Sequence, residues 1–322
     1  MKTVTRPFFE LSMPICESLK LLATEFAPTF SGGDRHNGRG TATVSICSGL
    51  HGDELDGLYI CHRVKQRLSE IHAAGGKLTG KVRLIPVMNP LGADVSHRFW
   101  PFTKIDINRQ FPGDPSGEST QRIAAAVFNE IKHSDLVIDI HSSNLFVSEV
   151  PQVRILDKFR ALAAPYADYL DVDIVWLHDA PTVIETTLSF NLNQLKIPTL
   201  VIECGISHRL TLSYIERISE GILNLLRHMK LLQDGTEPVL HPPKVATDSN
   251  VIYLNADRAG LFVSRLTIGE SVRKGALIGE IIQPALSEKV EEIRAPESGL
   301  LFTLKTHPVS YPGSLLGRIV TG

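Results

Sequence analysis

The chain has 322 residues, 43% of them hydrophobic and 21% charged, with a formal net charge of −2. These proportions are ordinary for a globular protein long enough to bury a full core. Near-neutral charge without a long basic run excludes an electrostatic footprint for nucleic acid or an anionic membrane, and no apolar stretch nears the roughly 18 residues of a membrane span.

Glu10, Ser12 and Glu17 break up the N-terminal stretch, which argues against a signal peptide. Cys16, Cys47, Cys61 and Cys204 form neither a C-x-x-C pair nor a disulfide framework, so the cytoplasm is the expected compartment. The apolar β-type runs at 42–47, 82–88, 135–140, 172–177 and 199–203 predict strands. Between them Leu55, Leu58, Cys61, Val64, Leu68 and Ile71 recur at helical spacing, as do Ile123, Ala126, Val127 and Ile131. A third helix is predicted from Ile215 through Ile222 and Met229 to Leu232. Strands alternating with helices predict an α/β domain built on a mixed, largely parallel sheet.

The pattern stops at 237–243, where Pro238, Pro242 and Pro243 read as a linker. The expected division is therefore 1–237 and 238–322. The second part shows short strands and turns with an internal echo. Gly260-Leu261-Phe262 through Leu277–Ile282 resembles Gly299-Leu300-Leu301 through Leu315–Val320, with Gly275 matching Gly313. Such doubling predicts a small quasi-symmetric all-β domain, similar to a biotinyl/lipoyl-type β-sandwich. Lys289 lies near the place where such domains carry a modified lysine, but the usual flanking residues are absent, and a solvated lysine is the expectation.

Three of the strands end in residues suited to metal chemistry. The first runs into His51-Gly52-Asp53-Glu54; another ends in Asp139-Ile140-His141; a third ends in Glu203-Cys204-Gly205. The H-x-x-E pattern alone is weak, because 12 His and 19 Glu supply roughly 0.7 such pairs by chance. Its weight comes from company. In open α/β sheets ligands bind beyond the carboxyl ends of strands. Two histidines and a carboxylate leave a zinc ion one open position, and a further carboxylate, here Glu203, is then needed to move a proton. The segment from Asn89-Pro90 through Arg98 to Asp106-Ile107-Asn108-Arg109-Gln110-Phe111-Pro112-Gly113 fits the same chemistry. Arg109 and Asn108 can grip a substrate carboxylate, Arg98 can stabilise an oxyanion, and Asp106 can fix the tautomer of a ligand histidine. Asp139 shares a strand face with His141, either backing it or paired elsewhere in the core.

In this order the motifs H-G-x-E, N-P, R, D-x-N-R-x-F-P-G, D-x-H and E-C-G resemble the succinylglutamate desuccinylase/aspartoacylase family, zinc-dependent amidohydrolases with a carboxypeptidase-like fold. The resemblance covers roughly 40–210, and the C-terminal β-domain also has a family counterpart. It implies one zinc per chain held by His51, Glu54 and His141, with Glu203 as general base and later proton donor. It implies further that Asn108 and Arg109 bind the substrate carboxylate, Arg98 polarises the scissile carbonyl, and Asp106 orients His51. Two departures stand out: Asp53 replaces the Asn of H-G-N-E, and the interval from Arg98 to Asn108-Arg109 is longer than in aspartoacylase.

The expected activity is hydrolysis of a small, carboxylate-bearing N-acyl amino acid, without nucleic-acid or membrane partners; homo-oligomerisation is left open. The rivals are a carboxypeptidase acting on peptides or peptidoglycan fragments, and a non-catalytic metal-binding or carrier protein. No G-x-S-x-G elbow supports a serine hydrolase.

Overall fold

The computed structural model describes residues 1–15, 17–29, 41–179 and 182–322. Among the described residues one 13-stranded mixed sheet runs through the molecule. Its centre is parallel: Lys81–Ile85, Thr43–Ser48, Leu136–Ser142 and Thr199–Gly205 lie side by side in that order. The hairpin Lys2–Leu11 and Leu19–Ala27 extends one edge antiparallel. On the other side Val147–Leu156 runs antiparallel to Thr199–Gly205 and parallel to Ile174–His178.

The central strands are buried along almost their whole length, and their two faces feed separate cores. Val44, Ile46, Ile138 and Ile140 pack with Ile60, Val64 and Leu68 of helix Asp56–Ala73 and with Ile215, Ile218 and Ile222 of helix Leu212–His228. Cys47 and Val137 point the other way, onto Ile123 and Val127 of helix Ser119–Ile131 and Leu188 and Leu192 of helix Leu188–Gln194. Each strand thus has a two-residue period and each helix an apolar stripe, which fixes the register of the layers.

Several boundaries differ from the sequence pattern. The strand expected at 82–88 stops at Ile85, because Pro86 has no N–H for a further ladder bond. The strand expected at 172–177 begins at Ile174, after Asp171 in a left-handed turn. The last helix ends at His228; Lys230 takes a positive φ, and Leu232 instead pairs with Leu78 in a two-stranded ribbon. The N-terminal hairpin and the Val147–Leu156 strand have no counterpart among the expected strands.

The internal echo has a structural basis. Ser271–Val272 from the first half pairs with Gly299–Lys305, and Val309–Ser310 from the second pairs with Gly260–Ser264. Gly275 and Gly313 both adopt positive φ at matching turns, a conformation that glycine takes without strain. Residues from both halves, among them Phe262, Ile278, Ile281, Leu301, Leu316 and Ile319, share one core. The four-stranded antiparallel sheet there contains Glu288–Arg294, where the exposed Lys289 pairs with Glu292. This C-terminal part joins the large sheet: Lys244–Thr247 pairs with Ile174–His178, and Thr303, Leu304 and Lys305 pair with Val147–Glu149.

No helix among the described residues is long and apolar enough to cross a membrane. Cys47, Cys61 and Cys204 are free and buried, while Cys16 lies outside the described residues.

Candidate active site

The strand Thr43–Ser48 turns at Gly49, whose φ is +64°, into the loop carrying His51 and Glu54. Gly52 lets this loop lie against the short helix Pro90–Asp94, since a Cβ there would sit 2.0 Å from the carbonyl carbon of Gly92. Asn89 caps that helix by accepting from Gly92 N at 3.0 Å, and Gly52 N donates to the Arg98 carbonyl at 3.3 Å. The glycine and the N-P segment therefore belong to one packed unit that aims His51, Glu54 and Arg98 together. In the neighbouring parallel strands His141 lies in register with Glu203, so both emerge at the same sheet end.

His51, Glu54 and His141 are all buried, and their ligand atoms lie within 4.8 Å of one another. Glu54 Oε1 is 2.8 Å from His51 Nδ1, Glu54 Oε2 is 2.8 Å from His141 Nδ1, and the two Nδ1 atoms are 3.2 Å apart. The far edge of each ring also meets a carboxylate. His51 Nε2 is 3.2 Å from Asp106 Oδ1; His141 Nε2 is 3.2 Å from Asp139 Oδ2, without the alignment of a good hydrogen bond.

This arrangement demands positive charge at its centre. If each Nε2 carries a proton toward its carboxylate, both Nδ1 lone pairs face Glu54 acceptor to acceptor. Two further protons, or one divalent cation, relieve that. Burial opposes charge on all three groups, yet the imidazoles hold Glu54 well below the ordinary carboxylate range, and the carboxylates raise His51 and His141. Two imidazoles and a carboxylate suit zinc, and carboxylates behind ligand histidines are the usual support for such a site. The donor set fits the metal that the resemblance implies.

Arg98 Nη1 is 2.8 Å from Glu54 Oε1, and Arg98 Nη2 is 3.9 Å from Asp106 Oδ2. Asp106 Oδ1 also accepts from Asn108 N at 2.8 Å, tying the His51 support to the 107–109 turn. Asn108 Oδ1 accepts from Leu188 N at 3.1 Å, and among the described residues its amide hydrogens meet no acceptor. Arg109 Nη1 donates to the Asn108 carbonyl at 2.9 Å, and among the described residues Arg109 makes no ion pair. Both line a cavity of about 500 Å³, together with His51, Glu54, His141 and Glu203. Asp53 has an unpartnered buried Oδ1, with Oδ2 3.9 Å from His208 Nε2.

His51, Glu54, Arg98, Asn108, Arg109, His141 and Glu203 thus line this cavity, with Asp106 and Asp139 behind its histidines. The sequence pattern missed the cluster on the far side of Glu203. Arg154 Nη1 donates to Glu203 Oε1 at 3.4 Å and Nη2 to Glu149 Oε2 at 2.7 Å. Glu149 Oε1 accepts from Arg318 Nη1 at 2.9 Å, a residue of the C-terminal part. The two guanidinium carbons lie 5.5 and 5.3 Å from the Trp176 ring centroid. Burial raises the Glu203 carboxyl above its usual range while Arg154 pulls it down. The only sequence sign of this cluster is charged residues inside an otherwise apolar β-type run, at Glu149 and Arg154.

Residues 40–229, more than half of the chain, match the succinylglutamate desuccinylase/aspartoacylase catalytic domain. The chain belongs to this family. It is 27% identical over 275 residues to an N-α-acetyl-L-2,4-diaminobutyric acid deacetylase of Halomonas elongata, covering 80% of this chain and 76% of the relative. Among solved structures it is similar to a succinylglutamate desuccinylase from Silicibacter, with a TM-score of 0.78, 20% identity and coverage of 99% and 95% of the two chains. The product-bound ectoine utilization protein EutE (DoeB) from Ruegeria pomeroyi gives a TM-score of 0.77 at 19% identity, covering 99% and 95%. These two likenesses establish the shared fold.

Proposed function

We propose that the protein is a cytoplasmic zinc-dependent deacylase that hydrolyses the amide bond of a small N-acyl amino acid. The observation that carries this reading is the convergence of His51, Glu54 and His141 on one point, with Glu203 in register beside His141. The family membership and the deacetylase relative support it. In this reading 1–237 is the catalytic unit, and 238–322 closes one side of its pocket through Arg318.

His51, Glu54 and His141 would hold the metal, which when bound supplies Lewis acidity that polarises the carbonyl and lets water attack near neutral pH. Glu203 accepts the proton of the attacking water and returns it to the leaving nitrogen as the C–N bond breaks, giving a carboxylate and an amine. Arg98, with its guanidinium beside Glu54, donates to the carbonyl oxygen as negative charge grows there. Arg109, unpaired among the described residues, takes the substrate carboxylate together with the free amide hydrogens of Asn108. That grip orients the amide rather than reacting with it. A cavity of about 500 Å³ suits a small molecule better than a peptide.

The test is metal analysis of the purified protein, then release of free amine from N-acetyl, N-succinyl and N-formyl amino acids. One zinc per chain with amine release is expected. Stoichiometric zinc with no hydrolysis across the panel would leave a binding protein and overturn the enzymatic reading.

A further inference from the structure

Gln152 has no exposed surface, yet among the described residues neither its Oε1 nor its Nε2 meets a hydrogen-bond partner. A buried amide left unpaired works against folding, so its presence calls for a reason. Its position supplies one. The strand Val147–Leu156 runs antiparallel to Thr199–Gly205, with Glu149 opposite Gly205 and Gln152 opposite Glu203. Three steps on one strand against two on the other make a bulge of one residue between Glu149 and Gln152. The bulge shifts the phase of the strand, so that Glu149, Gln152 and Arg154 share the face of Glu203. The ion pairs from Arg154 to Glu149 and to Glu203 bear this out. Residues directly opposite in an antiparallel pair have Cβ atoms about 4.5–5.5 Å apart, within reach of side chains as long as Gln and Glu. Gln152 does not line the cavity, so it faces Glu203 from within the sheet and not from the substrate side.

Resting on the deacylase reading, we propose that Gln152 is a positioning residue for Glu203, its Nε2 donating to the carboxyl group during turnover. Trp176 Nε1 and Arg154 Nε are likewise buried without partners, but as donors they can engage only Gln152 Oε1, which leaves Nε2 to an acceptor. Glu149, the other carboxylate on this face, already accepts from Arg154, Arg318 and Thr303. Glu203 has room for a partner: among the described residues its side chain accepts only from Arg154 Nη1, at a long 3.4 Å. A guanidinium favours the ionised carboxylate alone, and a tighter grip by it would hold back the proton. An amide is neutral. It donates to the inner carboxylate oxygen, and still donates to that oxygen once the outer one carries the proton. Glu203 thus keeps its aim while it takes the proton of water and returns it to the leaving nitrogen, and no bond changes at Gln152.

The test is Gln152→Met, which keeps the length of the side chain and removes both polar atoms. On one N-acyl amino acid, kcat should fall about 10- to 100-fold with KM and zinc content unchanged. The urea midpoint should rise, because a buried unpaired amide has gone. Lost turnover together with gained stability is an outcome that a merely structural role does not give. In the Glu203→Gln background the same substitution should leave the residual kcat as it is, since two residues acting through one step are not additive. Unchanged kcat in Gln152→Met overturns the proposal. So does a lowered urea midpoint or a failure to fold, either of which would show the amide holding a structural partner such as the Trp176 indole. Equal fold-losses in the two backgrounds overturn it as well. If the parent protein releases no amine from any N-acyl amino acid of the panel, the deacylase reading itself fails, and this inference with it; the other outcomes bear on Gln152 alone.

Discussion

On one side of Glu203, three buried side chains turn acceptors toward a common point, with the Arg98 guanidinium reaching one of them, Glu54 Oε1, at 2.8 Å. On the other side, Glu149 lies between two guanidiniums that have come from strands far apart in the chain. Both clusters are polar and set into the same sheet, yet their chemistry is opposite. Convergent donors of one kind call for an external ion, whereas alternating signs satisfy one another and leave no ligand to recruit. Buried charge by itself marks neither catalysis nor stability; the pattern of partners does.

The largest effect expected on this comparison comes from breaking the convergent side. His141→Ala should reduce bound zinc from one per chain to near none and bring amine release to the level of buffer alone, as read by metal analysis and the same panel. A variant that keeps both would remove His141 from the metal set. Glu203→Gln sits between the clusters and should separate binding from turnover: kcat falls about 10²- to 10⁴-fold, while zinc content stays that of the parent protein. Loss of zinc in this variant would move Glu203 from proton carrier to ligand.

The two clusters also differ in how much of them could be read from the amino-acid sequence. His51, Glu54, His141 and Glu203 follow directly on apolar runs, and a parallel sheet brings the carboxyl ends of its strands to one side. Periodicity therefore suffices to collect them. Glu149, Arg154 and Arg318 depend on an antiparallel strand inserted beside Thr199–Gly205 and on the C-terminal strand Gly299–Lys305 pairing with it. Neither pairing leaves a local signature, and Val147–Leu156 carries Pro151 and Gln152 at its centre, which obscures it as a strand. The N-terminal hairpin is hidden for a related reason: it lies at a sheet edge, where exposed charged residues such as Lys2 and Glu10 dilute the apolar alternation. Asp139 illustrates the limit of strand-face reasoning. Its position two residues before His141 placed it on the right face, but only three-dimensional packing brings its Oδ2 to 3.2 Å from the ring.

The carboxylate behind His51 should matter less than the ligands themselves. Asp106→Asn retains the shape but cannot hold the Nε2 proton as strongly, and the expected loss is about 10- to 100-fold in zinc affinity, measured by competition with a chelator. Unchanged affinity would mean that Asp106 serves only to shape the 107–109 turn through its bond to Asn108 N.

Away from the pocket, the part-buried pairing of Arg227 with Asp234 repeats the guanidinium–carboxylate geometry of the second cluster. Arg227 Nη2 is 2.6 Å from Asp234 Oδ2, Nε is 3.1 Å from both oxygens, and Thr236 N donates to Oδ1 at 3.1 Å. The hydrogen bonds from Arg227 hold the Asp234 carboxyl below its usual 3.8. A carboxyl depressed in the folded state binds fewer protons there than in the unfolded chain, so it adds stability above pH 3.8 and loses it as pH falls through the lower folded value. Asp234→Asn should therefore cost about 1 kcal/mol at neutral pH, read as a shift in urea midpoint. The difference from the parent protein should shrink as pH drops below about 4. A penalty independent of pH would show that the pair acts through shape and hydrogen bonding. Its sign-balanced geometry would then not be a fair copy of the Glu149 clamp.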